Sequence, residues 1–355
     1  MSTDDNEFSS YNFDLQPPPD VVSFNELRSC ADLVRLFEEK TLEIQPHFQR
    51  EVVWKKPDQS RFIDSLVKQL PIPSMCFSLD FKTQKWQVVD GLQRMTAIVS
   101  FLAKDSNWRL SNLKDIDSRI ANKTASELIA EGGEPETLFR RVRNLSLPIT
   151  VIRCDYSKEN HANYLFTIFH RLNAGGVRLN NQEIRNCIYS GPFNVLLYEL
   201  DAGAEWEPIK NMLPGKGSRF RSVELILRFF ALHEKSQDYS GQMAKFLNDY
   251  MHHYRYATVD ALYEKGQLFS RTASVLARGL CFDSMKKPSN TLIDAALVGI
   301  AANIEVLEPL SDTALATRLE QLREHPSLSP ENLKSDTTAT EKVKNRLSAA
   351  RQCFG

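Results

Sequence analysis

The stretch 85–101, KWQVVDGLQRMTAIVSF, constrains this chain more than any other. Trp86, Val88 and Val89 form a short β-favouring run, Asp90-Gly91 interrupts it, and Met95, Ile98, Val99 and Leu102 then recur at helical spacing. The pattern predicts a strand, a tight turn and a helix. Glycine at such a turn lets the backbone approach a ligand closely, and the first N–H groups of a helix have no partner within it. With Gln93 and Arg94 in the first turn, the arrangement suits a phosphate. The structural alternative is equally compatible with these five residues: Asp90 as an N-cap only and Arg94 as a solvated charge that adds little to stability.

The flanking sequence supplies a sheet for this unit. Residues 75–79, bracketed by Pro73 and the Lys82-Thr83-Gln84 turn, read as a strand that pairs with 86–90 as a hairpin. Upstream, Leu27, Leu33, Val34 and Phe37 recur at helical spacing over 24–39, and Leu42-Glu43-Ile44 reads as a strand. A loop with Phe48-Gln49-Arg50 follows, then a helix from Asp58 with Phe62, Ile63, Leu66 and Val67 on one stripe. Residues 104–144 are polar and read as an insertion with one short helix over 124–130; 147–154 returns to strand and 160–171 to helix. Asn180 and Glu183 have capping-box spacing. From Pro192 onward the periodicity is almost wholly helical, over 193–200, 222–233, 242–254, 259–280 and 291–307.

The expected class is therefore α+β followed by all-α. The expected boundaries are a disordered lead-in over 1–22, a mixed domain over 23–190, a helical domain over 191–310 and a charged tail over 311–355. A chain of 355 residues accommodates two domains. Its net charge of −1 gives no global pull towards nucleic acid, so any DNA contact must rest on a local basic patch. The apolar runs are too short to span a bilayer and the acidic MSTDDNEF start is unlike a signal peptide, so a cytoplasmic place is expected. Six cysteines without a CxxC pair argue against a zinc ribbon and a disulfide framework. No GxxxxGK[ST], GxSxG or HExxH motif is present.

Other polar groups have structural readings at hand. Arg50 follows a strand where a side chain can enter a cleft, but could equally pair with Glu51 or Asp58. The segment 171–185, RLNAGGVRLNNQEIR, could close over an anion or serve as a capped interdomain loop. Glu224 and Arg228 have favourable i,i+4 order in an apolar helix, and a structural pair is expected. His252 and His253 are adjacent and point apart, which disfavours a shared metal.

Taken in order, FQR, LPIPSMCFSL, VVDGLQRMTAIVSFL, FHRLNAGGVRLNNQEIRN and RFRSVELILRFFAL resemble the family of the GmrSD restriction endonuclease N-terminal domain, a ParB- and sulfiredoxin-like fold. The resemblance spans about 42–232. Its most specific element is the family's DGQQR signature, here Asp90-Gly91-Leu92-Gln93-Arg94, with Leu92 in place of the first glutamine. The resemblance implies NTP binding and hydrolysis that responds to modified DNA, in defence against phage or other foreign DNA. Relatives join this domain to an HNH nuclease; after His253 this sequence has only His325, so the nuclease half is expected to be a separate partner. By resemblance, Gly91, Gln93 and Arg94 hold phosphates, and Asp90 orients the turn or holds a metal through water and is the one carboxylate considered for catalysis. Gln49 and Arg50 face them across the cleft, and Asn173 lines the same site. The implied ligand is an NTP of unspecified base, with Mg²⁺ as its companion, and DNA and a nuclease are the implied partners. Three readings stay open: an NTP-binding sensor, a stand-alone ParB-like DNA nuclease or DNA-binding protein, and a non-catalytic interaction module.

Overall fold

A computed structural model describes residues 16–44, 54–172, 180–213, 220–282, 288–333 and 336–355. Two compact units divide between Leu179 and Asn180. The first carries a five-stranded sheet of β1 (Val22–Ser29), β2 (Leu42–Glu43), β3 (Met75–Asp80), β4 (Trp86–Asp90) and β5 (Ser146–Cys154), in the order β1-β5-β3-β4-β2. The β3–β4 hairpin is antiparallel, as its turn residues predict, whereas β2 runs parallel to β4 and β3 parallel to β5.

Alternation along the strands sorts the two faces of the sheet. Met75, Phe77, Trp86, Val88, Ile149 and Val151 join one core with the helices α1 (Cys30–Glu38), α2 (Lys56–Val67), α3 (Leu92–Leu102), α4 (Ala125–Glu131) and α5 (Gly133–Asn144). Cys76, Ser78 and Gln87, one residue out of phase, belong to the opposite face. There Gln87 Oε1 accepts from the buried Tyr156 hydroxyl at 3.0 Å, Ser78 bonds the same hydroxyl, and α6 (Glu159–Leu172) packs against β4. Helices or buried side chains on both sides explain why β4 reads as a nearly continuous apolar run.

Three expectations are corrected. The stretch 24–39 is not one helix: its first part is β1, paired antiparallel with β5 from Val22↔Arg153 to Ser29↔Ser146. Ser29 then caps α1, its Oγ accepting from Asp32 N at 3.0 Å. The strand partner lies far along the chain, so local periodicity could not show it. The polar stretch 104–144 contains a second helix, α5, because Leu138, Phe139 and Val142 are buried in the core. Residues 311–355 are not a tail: α15 (Asp312–Glu324) and α16 (Thr340–Phe354) belong to the helical unit. Val343, Leu347, Ala350 and Phe354 are buried, and a Cβ at Gly299 would lie 2.6 Å from Ala350 O. The backbone of α16 thus rests directly on α13 (Asn290–Ala302).

Of the rest of the helical unit, α8 (Pro192–Asp201), α10 (Arg221–Lys235), α11 (Met243–Tyr254) and α12 (Val259–Phe282) follow the predicted spans; the single span 291–307 is divided at Asn303 into α13 and α14 (Ile304–Leu307), and α7 (Asn181–Ile188) and α9 (Glu207–Met212) are in addition. The Asn180–Glu183 capping box forms with both of its bonds. Cys30, Cys76, Cys154, Cys187 and Cys353 are free thiols.

Residues 1–15 of the expected lead-in lie outside the described residues. By Asp20 the chain is already anchored, its carboxylate bonding Lys158 and, at 2.8 Å, His161 Nε2 on α6. The Lys158 and His161 bonds hold the Asp20 carboxyl down from 3.8 to about 2. A depressed carboxyl contributes stability that is present above its unfolded value and lost as pH falls through the folded one. NMR titration should place the Asp20 midpoint near 2, with a return towards 3.8 in Lys158→Met. The anchor should accordingly loosen only between about pH 4 and pH 2.

Candidate functional site

The site is built where β4 ends. Asp90 closes the strand, Gly91 turns the chain with φ +94° and ψ 17°, and α3 starts at Leu92. This left-handed conformation favours glycine, and a Cβ there would come within 2.6 Å of Met75 Cγ on β3. The sheet itself therefore requires the glycine. Having no side chain, Gly91 makes no cap bond, which leaves the first amides of α3 without a side-chain acceptor.

Arg94 is not a solvated charge. Its Nη2 bonds Asp90 Oδ2 at 2.8 Å, while Nη1 donates to Pro73 O at 2.5 Å and Nη2 to Ser74 O at 3.5 Å. The side chain is only 14% exposed, against 38% for Asp90. One guanidinium thus ties the end of β4, the start of α3 and the segment leading into β3 together. The i,i+4 spacing that places Arg94 over Asp90 was visible in the sequence; the Pro73 and Ser74 carbonyls were not, because proline-rich loops carry no periodic signal. Ser74 extends this polar row, its Oγ lying 3.1 Å from Thr150 Oγ1, which in turn donates to Asn25 Oδ1 at 2.9 Å.

Gln93 faces a different neighbour. Its Oε1 accepts from Trp54 N at 3.4 Å, and the Trp54 ring packs on Phe62 with centroids 5.6 Å apart. Because β2 runs parallel to β4, the chain leaves β2 towards the end of the sheet where Asp90 lies. It is next described at Trp54, against Gln93. Gln49, Arg50 and Asn173 lie outside the described residues. Of the seven expected site residues, Asp90, Gly91, Gln93 and Arg94 are brought together in one turn.

Cys76 pairs with Asp90 across the hairpin, next to a register irregularity. Burial, with the Asp90 charge adding to it, pushes its thiol up to about 12, so it holds its proton at neutral pH. A groove of about 550 Å³ lies at the other end of α3, lined by Val34, Glu38, Leu102, Lys104, Phe139 and Arg143 among others, and is separate from the Asp90–Arg94 turn.

In the helical unit the expected Glu224–Arg228 pairing gives way to contacts between helices. Arg185 Nη1 bonds Glu224 Oε2 at 2.9 Å, and Arg228 bonds Asp294 with its closest contact at 2.6 Å. His252 packs edge-on against Tyr189, and His253 against Tyr254. Among the described residues, no group of three or more His, Cys, Asp or Glu is placed to hold a metal, and no helix is long and apolar enough to cross a membrane.

Residues 33–190 match the family model of the GmrSD restriction endonuclease, N-terminal domain. The match contains β2 to β5 and the whole Asp90–Arg94 turn. No curated protein matches the chain as a relative.

Proposed function

We propose that the chain is an NTP-binding and NTP-hydrolysing sensor in defence against foreign DNA, acting with a separate nuclease. The observation that carries this reading is the uncapped start of α3 beside the Asp90–Arg94 pair, within the residues that match the GmrSD N-terminal family model. Backbone amides at a helix start attract a phosphate without a Walker lysine. Arg94 holds this turn in shape and offers its remaining donors to phosphate oxygens. Asp90 keeps Oδ1 without a hydrogen bond among the described residues, in position to hold Mg²⁺ through water or to orient the attacking water. Gln49 and Arg50 are proposed to meet the same ligand on the strength of the resemblance alone. Asn173 follows directly on Leu172, the last residue of α6.

The test is a calorimetric screen of the four NTPs with Mg²⁺, with and without modified DNA. Gln93→Ala should weaken binding about fivefold, the worth of one ordinary hydrogen bond, with unchanged melting. Arg94→Ala should cost both binding and stability, since the same side chain holds three chain segments. No binding of any NTP under these conditions would overturn the proposal. Metal-dependent plasmid nicking that disappears in Asp90→Ala would promote the nuclease reading instead.

A further inference from the structure

Among the described residues nothing pairs with the outer side of the edge strand β1, a situation that soluble proteins ordinarily avoid. It lies at one margin of the sheet and runs for eight residues, VSFNELRS. Exposed edges are usually blunted by lysine, proline or a bulge. This strand contains neither residue, and its register with β5 is unbroken. Apolar side chains stand exposed along it, Leu27 at 72%, with Val22 and Phe24. The helix that follows, α1, packs on α3 and α5 as well as on β1.

The ladder fixes which backbone groups are free. Cys30 N donates to Leu145 O at 3.0 Å, continuing the β1–β5 register by one residue. In an antiparallel pair, hydrogen-bonded residues alternate with residues whose N–H and C=O point away. The even-numbered residues of β1 therefore bond β5, and Ser23, Asn25 and Leu27 present their backbone groups outward. None of these three has another backbone partner among the described residues.

We propose that β1 is a self-association edge, where two copies of this chain pair antiparallel about a twofold axis at Leu27 and join their sheets. Directly opposed side chains in such a pair share a face, so a twofold axis normal to the sheet must pass through a residue. Residues of either phase qualify, as hydrogen-bonded or non-hydrogen-bonded self-pairs, so the side chains that meet decide the register: an axis at Glu26 or Arg28 would set like charges against each other. An axis at Asn25 would set Glu26 against Phe24 and Leu27 against Ser23. An axis at Leu27 sets Glu26 of each copy against Arg28 of the other, twice, and leucine against leucine. Within one copy Arg28 already bonds Glu26 and, at 2.6 Å, Asp32, so pairing closes a ring of alternating charges. Charge complementarity thus selects the second copy and its register.

The test is sedimentation of the full chain across a concentration series, with hydrogen exchange alongside. The wild type should show a monomer–dimer equilibrium. Leu27→Pro removes an outward N–H and no bond to β5, so it should raise the dissociation constant by at least about tenfold with melting retained. Glu26→Arg should weaken pairing, and Glu26→Arg with Arg28→Glu should restore it, because the ring keeps its alternation. Amides of Asn25 and Leu27 should gain protection with concentration, while those of Phe24 and Glu26 stay protected throughout and Ser23, whose opposite position falls in α1 of the other copy, stays unprotected. A wild type that is monomeric at every concentration would overturn the proposal. So would a dimer indifferent to Leu27→Pro, or protection of the Asn25 and Leu27 amides that does not change with concentration.

Discussion

Gly91→Val should lower the stability of the first unit by about 3–5 kcal/mol. Two independent costs add. A side chain at φ +94° meets the penalty of the left-handed region, about 1–3 kcal/mol and largest for β-branched residues. Its Cβ would also press on Met75 Cγ, 2.6 Å away, in a fully buried position, and overpacking of this kind costs about 1–3 kcal/mol more. For a unit of this size the melting temperature should fall by roughly 6–20 °C. The two costs separate in a cycle with Met75→Ala. Opening space beside position 91 should make the double variant less damaged than the sum by about 1–3 kcal/mol, while the backbone cost persists. Melting equal to wild type would show that the turn tolerates a side chain, and the conformation assigned to Gly91 would be wrong. Nucleotide binding should be lost together with stability, because the amides proposed to hold phosphate are aligned by this turn.

That turn was also the most legible part of the chain. A strand signal, Asp-Gly and a helical repeat are all local, so β4, α3 and the Asp90–Arg94 spacing could be read without knowing the fold. The same holds for the Asn180–Glu183 capping box and for most helices after Pro192. Less legible was whatever depended on distant partners. Strand β1 pairs with residues far along the chain, and its apolar residues fit a helical spacing closely enough to mislead. Helix α5 looked polar because only Leu138, Phe139 and Val142 face the core, and a narrow stripe in a charged helix is easily read as loop. In the site, charge was visible and direction was not. Arg94 reads as a free cation until Pro73 and Ser74 are seen to present carbonyls to it. Arg228 and Glu224 carry a spacing that suits each other, yet both reach across to other helices, since a tertiary contact can outweigh an i,i+4 pair worth only about 0.2–0.5 kcal/mol.

That contact defines the last prediction. Arg228 donates from Nε to Asp294 Oδ1 at 3.2 Å and Oδ2 at 3.0 Å, and from Nη2 to Oδ2 at 2.6 Å. Both partners are largely buried, between α10 and α13. Burial pushes the Asp294 carboxyl up from its ordinary value, while Arg228, and more weakly Arg346, pull it down and Glu224 adds to the rise. Arg228→Ala removes the main opposing charge and leaves a carboxylate in an apolar interior, a change that costs about 3–5 kcal/mol when one member of a buried pair is deleted. The sign of the pH dependence follows. A carboxyl whose folded value is raised favours the native state at low pH and ceases to do so as pH rises through that value, so the variant should be more damaged near about pH 8 than near about pH 5. Replacing both partners, Arg228→Met with Asp294→Leu, should recover part of the loss, since desolvation of the pair offsets much of its attraction, while Arg346 loses the nearby carboxylate. Urea unfolding at the two pH values measures all three proteins. Equal stability of Arg228→Ala and wild type at both would mean that Arg346 already neutralises Asp294 and that the pair does not hold α10 to α13.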